Sequence, residues 1–276
     1  DLDQPEQGVR FHVEAQLASF IGAPPDEVTS FYAGLNHLTF IYDLRWRGAD
    51  AWPLVRARLA EELEGGAGPE SGVDRPFSVS ENPFSWSLFR TYGAYPACND
   101  RHVTEFFPER FPNGRYDGRT LGVDAFSFEG TIAHGDEIYA RMRDQALGRQ
   151  PLDEGIFNRG AGEHEQLLAI LRSIWGDTRH VFATNLPNRG TVAGLPDEAI
   201  LELPGVATGR GLVPLQRAEL PAPLVAILAR KLAATRLTVE AALRRDRDLF
   251  VEALLVDGSV GDPDVARELM GALLEA

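Results

Sequence analysis

The chain has 276 residues, 44% of them hydrophobic, which is enough for one large core and somewhat long for a single domain. It carries 27 basic against 41 acidic residues, a formal net charge of -14, with no run of Lys or Arg. That balance argues against nucleic acid or an anionic membrane surface as a partner and suits a small neutral or metal-assisted ligand.

Cys98 is the sole cysteine, so no intrachain disulfide forms and a reducing compartment, by default the cytoplasm, is expected. No stretch reaches the roughly 18 uninterrupted apolar residues of a membrane helix, and no signal peptide is visible. Because the chain opens at Asp1, it reads as a fragment of a longer protein.

In chain order, Val9, Val13, Leu17 and Phe20 recur three or four apart and Gly22 supplies a stop before Pro24-Pro25, which predicts an amphipathic helix over 9–21. Leu38, Phe40, Tyr42, Leu44 and Trp46 alternate, and Arg47-Gly48-Ala49-Asp50 has turn chemistry, so this stretch predicts a strand entering a hairpin. The short segment Gly34-Leu35-Asn36-His37 precedes it. Residues 64–83, rich in Gly, Pro and Ser, read as a loop. From Arg90 to Arg119 aromatic, proline and charged residues mix without periodicity, as in irregular, site-forming backbone.

Helical patterns follow over 132–147 and 163–175, then a strand over 199–204 closed by Pro204. The last third is helical, with Leu224, Ile227, Leu228 and Leu232 on one face, and Asp262-Pro263 supplies a cap and first-turn proline for the final helix. No internal repeat appears. Strands mix with helices without regular alternation, which predicts an α+β fold in place of a doubly wound sheet.

The glycine pairs at 65–66, 160–162 and 209–211 lack the strand-turn-helix context of a dinucleotide-binding turn, and neither C-x-x-C nor H-E-x-x-H exists. Glu163-His164-Glu165 occupies adjacent helical positions whose side chains diverge, as on a solvated face. His37, at the start of an apolar strand, is either a hydrogen-bonded structural histidine or a ligand. Asp100-Arg101-His102 with Glu105, next to Tyr92 and Tyr95, suits either a sugar site or a surface ion-pair cluster. Cys98 reads as small packing material.

Three segments together resemble glycoside hydrolase family four over nearly the whole chain. They are A-G-L-N-H at 33–37 after G-A-P-P-D-E-V at 22–28, Y-G-A-Y-P-A-C-N-D-R-H-V-T-E-F-F-P at 92–108, and N-L-P-N-R-G-T-V-A-G-L-P-D-E-A-I-L-E-L-P at 185–204. The segment at 92–108 resembles the α-galactosidase and α-galacturonidase branches and not the phosphosugar branches. N-R-G-A-G-E at 158–163 also fits the family pattern.

The resemblance implies that residues 1–276 are the C-terminal substrate- and metal-binding domain of such an enzyme, a lactate/malate-dehydrogenase-like arrangement of mixed sheets with a helical last third, and that the N-terminal Rossmann half lies outside the chain. It implies NAD and Mn2+ as cofactors, a small carbohydrate substrate, and a homo-oligomer, dimer or tetramer. The implied reaction oxidises the sugar at carbon-3, removes the carbon-2 proton, eliminates the aglycone and adds water, so a flanking carboxylate pair is not required.

The resemblance makes His37 the metal ligand and Asn36, Arg101, His102, Asn188 and Arg189 the sugar-holding candidates. Arg101 and Arg189 pair alternatively with Asp100 and Asp197. The family's cysteine ligand falls at Gln7 by ungapped count, or upstream of Asp1 with Asp3-Gln4-Pro5 as the remnant of its turn, which puts Asp3 among the catalytic candidates. Tyr95, Tyr92 and Asp100 are the candidates for the base. A lactate/malate-type dehydrogenase and a non-catalytic sugar-binding or assembly module are the competing readings.

Overall fold

A computed structural model describes residues 12–64, 78–153, 166–215 and 217–275. Helix α1 (His12–Phe20) turns Val13, Leu17 and Ala18 inward and stops where Gly22, at φ 71°, lets the Ala23 N–H reach back to the Ala18 carbonyl. Strand β1 (Val28–Leu35) follows and pairs antiparallel with β2 (Leu38–Trp46) from Val28↔Trp46 to Leu35↔Leu38, with a bulge at Phe31/Tyr32. The predicted hairpin is present beyond β2: Arg47 and Gly48 both hold positive φ, as its tight turn demands, and lead into β3 (Ala49–Asp50).

Helices α2 (Trp52–Leu63) and α3 (Pro83–Tyr92) come next, then β4 (Tyr95–Pro96), which pairs with β2, and the single turn α4 (Asp100–Val103). Tight 3-10 turns lead to a small hairpin of β5 (Arg115–Tyr116) and β6 (Arg119–Thr120), and α5 (Phe128–Ala146) and α6 (Gln166–Gly176) cover the predicted helical stretches. Strands β7 (Val181–Pro187), β8 (Ile200–Thr208) and β9 (Gly211–Pro214) complete an antiparallel sheet of order β3-β2-β1-β8-β7, with β4 against β2 and β9 against β8. Helices α7 (Ala222–Arg244), α8 (Arg247–Asp257) and α9 (Pro263–Glu275) form the helical last third, and Asp262 caps α9 as expected. The architecture is α+β.

The side chains of β2 divide between two cores, and the extra residue Tyr42 at the register shift opposite Phe31/Tyr32 breaks the expected alternation, moving Leu44 onto the side of Ile41 and away from Leu38 and Phe40. Ile41 and Leu44 join Val13, Leu17, Trp52, Val55, Trp86 and Phe89, whereas Leu38 and Phe40 join Leu201, Leu203, Leu224 and Leu228. The sheet therefore separates α1 and α2 from α7, while α3 sends Trp86 and Phe89 to one core and Leu88 to the other.

One buried carboxylate fixes the irregular segment between these cores. Asp100 is wholly buried and accepts hydrogen bonds from the Phe84 and Ser85 N–H groups (2.8 Å each), the Ser85 hydroxyl and the Tyr116 hydroxyl (2.7 Å). It thereby caps the N-terminus of α3 from a distance, satisfying donors that a helix start leaves open. In return the Asp100 N–H donates to Asn82 Oδ1 at 2.8 Å, and the Thr104 hydroxyl donates to the Asp100 carbonyl. Burial pushes the Asp100 carboxyl upward, while the Ser85, Tyr116 and backbone donors work against that push.

A second clamp joins α7 to α8. Lys231, the only lysine, is nearly buried and donates to the Asp257 carbonyl (2.8 Å) and carboxylate (2.9 Å) at the end of α8, with its ammonium 6.0 Å from the centroid of the Phe106 ring. Burial pushes the Asp257 carboxyl upward, yet Lys231, Ser259 and Arg230 together hold it below its ordinary range.

Replacing Asp100 by Asn presents an amide N–H₂ to groups that themselves donate. Asp100→Asn is expected to lower unfolding free energy by about 3 kcal/mol, read as a lower urea midpoint, and a midpoint equal to wild type would remove the capping role. For Asp257 the depressed native value means its contribution is present above the unfolded value of about 3.9 and is lost as pH falls through the native one. The stability gap between wild type and Asp257→Asn in urea is expected to be widest above about pH 5 and to narrow below about pH 4; a gap constant with pH overturns this.

Candidate active site

The turn between β1 and β2 is two residues, Asn36 and His37, both exposed. His37 holds φ 61°, in the left-handed region where His and Asn are enriched among non-glycine residues. Gly34 is obligatory here, since a Cβ on it would overlap the Leu38 carbonyl oxygen and the Thr39 Cα. The turn is thus a rigid platform that projects an imidazole at one end of the sheet.

Pairing along β2 brings another imidazole to the same place. Phe40↔Pro96, Ile41↔Tyr95 and a 2.7 Å bond from the Ala97 N–H to the Thr39 carbonyl lay the chain beside the start of β2, and α4 begins immediately beyond. Asp100 anchors that turn from below, and His102 stands on its upper side with its ring centroid 4.2 Å from that of His37 and the planes tilted by 35°. The His102 side chain is 34% exposed, and its Nδ1 lies 3.6 Å from Glu105 Oε1, beyond hydrogen-bond range but within ion-pair range. Burial, together with neighbouring His37 and Arg101, lowers the His102 pKa against the pull of Glu105, which favours a neutral ring. Arg101 reaches outward and donates to the Thr131 hydroxyl on α5 at 2.9 Å.

The loop after β7 emerges at the same end of the sheet, because Gly34↔Glu202 and Pro187↔Ile200 place the ends of β1 and β7 beside the start of β8. Asn188 organises this loop from within: it is wholly buried, donates to the Val192, Leu195 and Pro196 carbonyls, and accepts from the Val192 N–H. Its neighbour Arg189 is exposed with φ 45°, and its link to Asp197 is a 3.0 Å backbone bond.

Of the expected site residues, Asn36, His37, Arg101 and His102 gather at one corner, with Glu105 behind His102, and Arg189 shares that end of the sheet. Three assignments require correction. Tyr95 is core, with its ring centroid 4.7 Å from Trp86 and 6.2 Å from Phe89, and burial, reinforced by Asp100, pushes its phenol well up, so it is no solvent-reachable base. Asp100 is a structural cap with its acceptor capacity already engaged. Asn188 spends its amide on loop carbonyls and leaves no donor for sugar. The alternative Arg101–Asp100 pair is not formed, since Asp100 faces inward and Arg101 meets Thr131. Tyr92 and Cys98 are partly buried against the core that holds Leu38 and Phe40. Asp3, Gln7, the Glu163-His164-Glu165 triplet and the 158–163 segment lie outside the described residues. Thr131 is a site neighbour that sequence reasoning missed, because its distance along the chain from Arg101 leaves no local signal.

Comparison with known proteins identifies the family of the chain. The Family 4 glycosyl hydrolase C-terminal domain matches residues 32–260. An alpha-galacturonidase of Bacillus subtilis is 31% identical over 253 residues, covering 88% of this chain and 53% of the relative. One from Thermoanaerobacterium saccharolyticum is 28% identical over 261 residues, covering 91% and 54%. The chain thus spans about half the length of these relatives. The crystal structure of the putative glucosidase lplD from Bacillus subtilis superposes with TM-score 0.71 at 26% identity, over 95% of this chain and 60% of that one. A Thermotoga maritima 6-phospho-beta glucosidase shares the fold with TM-score 0.69 at 20% identity, over 97% and 58%. From the match over most of its length, this chain belongs to the family 4 glycosyl hydrolases, whose C-terminal domain it carries.

Proposed function

We propose that residues 1–276 form one substrate- and metal-binding domain of a glycosidase acting on α-galacturonides or α-galactosides. The observation that carries this reading is the exposed His37 imidazole on the Asn36-His37 turn, in the segment where the family places its metal histidine, with another imidazole beside it. The family match favours the glycosidase over a lactate/malate-type dehydrogenase, and this donor set favours an enzyme over a sugar-binding module.

The residues fit a divalent cation in part. His37 and His102 offer nitrogen donors at a solvent-facing corner, and no group of three His, Cys, Asp or Glu able to hold a metal occurs among the described residues, so further ligands would come from elsewhere, from solvent or from substrate. Mn2+ bound there would supply Lewis acidity toward the oxygens on carbon-2 and carbon-3. The chain lacks a glycine-rich turn suited to a dinucleotide, so NAD is assigned to the remainder of the protein and no step through it is given to residues of this chain.

The role of this chain's own groups is to bind and orient. Asn36 is placed for sugar hydroxyls, and the Arg101 and Arg189 guanidiniums for a uronate carboxylate, a shape they match by forked donation. The Arg101–Thr131 bond holds one of these guanidiniums ready on the surface. With Tyr95 and Asp100 withdrawn, Tyr92 is the base candidate left among the described residues; Asp3 keeps its place as a catalytic candidate.

An oligomer, dimer or tetramer, is part of the same reading. Phe128, Ile132, Tyr139 and Met142 make an exposed stripe along α5, and Trp175 on α6 is 85% exposed, more apolar surface than water alone favours. Among the described residues no helix is long and apolar enough to cross a membrane, and the lone cysteine fits the cytoplasm.

The reaction itself is tested by isotope. In the intact protein with NAD+ and Mn2+, an aryl α-galacturonide deuterated at carbon-2 is expected to turn over more slowly or to lose its label to solvent. Full retention of label with no rate effect, and activity without NAD+, would mean ordinary carboxylate catalysis and end this reading. Sedimentation equilibrium of the chain is expected to give a dimer or larger, reduced by Ile132→Asp; a monomer at all concentrations withdraws the oligomer.

A further inference from the structure

We infer that His102 is a second imidazole ligand to the divalent cation, sharing it with His37, and is not a sugar-binding residue. The inference rests on the metal reading above and adds to it a residue from outside the G-L-N-H segment.

The geometry comes from two independent constructions. His37 is set by the β1–β2 turn, His102 by the β2–β4 pairing and the Asp100 cap, and the two segments meet only in space. Two imidazoles bound through nitrogen to one divalent cation, at metal–nitrogen distances of roughly 2 Å, have centroids about 4.5–5.5 Å apart. The observed 4.2 Å centroid separation, with the planes tilted by 35°, is close to that range.

The surroundings distinguish a ligand from a chance stack. Glu105 lies 3.6 Å from His102 Nδ1, within ion-pair range, so Nε2 is the ring nitrogen turned away from the carboxylate, and a carboxylate on that side is a common companion of a metal-bound imidazole. Arg101 donates to the Thr131 hydroxyl on α5. Two neighbouring imidazoles with a carboxylate behind one of them form a donor set suited to a divalent cation.

The test is Mn2+ binding to the protein, read by electron paramagnetic resonance for affinity and by electron spin-echo modulation for the number of directly bound nitrogens. Wild type is expected to show two bound nitrogens. His102→Gln should show one, with affinity weaker by about tenfold or more, and Glu105→Gln should fall between them. The wild-type nitrogen count needs no variant, and a melting temperature for each variant reports that it is folded. One bound nitrogen in wild type, with His102→Gln unchanged and His37→Gln abolishing binding, would reduce His102 to a stacking neighbour while the metal reading stands. Binding unaffected by either histidine variant, or absent in wild type, would overturn both.

Discussion

The burial of the Asp100 carboxylate organises everything around the proposed site. A charge removed from water is costly unless its lone pairs are satisfied, and here the donors come from α3 and from β5, two segments that Phe111 also bridges by packing on Phe84 and Tyr116. The same residue therefore starts α3, seats the small β5–β6 hairpin, and pins α4 in a segment dense with proline and short 3-10 turns. Without that anchor, pairing of β4 with β2 at two positions would be weak restraint on where His102 stands.

Rigidity at the hairpin end has a different origin. Gly34 packs so closely on the start of β2 that no side chain fits there, and His37 in the two-residue turn takes a left-handed backbone. The β7–β8 loop, braced internally by Asn188, supplies the third element at this end of the sheet. Backbone and buried side chains thus do the positioning, and the side chains left over, Asn36, His37, Arg101, His102 and Arg189, face outward. This division suits a binding site: orientation costs little at the moment of binding when the supporting residues are already satisfied.

The last third of the chain is joined to this region as well as to itself. Lys231 lies over Phe106 while clasping the end of α8, and Arg230 bridges toward Glu109 at 3.4 Å, so α7 contacts the irregular segment at two points. By contrast, α5 and α6 hold few inward side chains and turn apolar residues to solvent.

The sequence by itself determined the elements whose signals are local. The α1 stop at Gly22, the tight turn after β2 at Arg47-Gly48 and the Asp262 cap of α9 each depend on residues within a few positions of one another, and all are present in the structure, whereas the alternation expected along β2 from Leu38 to Trp46 is broken at Tyr42 by the register shift. The G-L-N-H and N-D-R-H segments were also legible as places where chemistry concentrates. Residue type alone did not say which members of those segments face outward. By type, Asp100 and Tyr95 suit a catalytic base and Asn188 a sugar ligand, yet all three are interior. Strand β1 has no readable period, because its neighbours on both sides bury it without clean alternation. Only tertiary structure brought His37 onto His102 and Arg101 onto Thr131, because those contacts join segments far apart in the chain, and the decision between buried and exposed is made by packing against partners that no local pattern encodes.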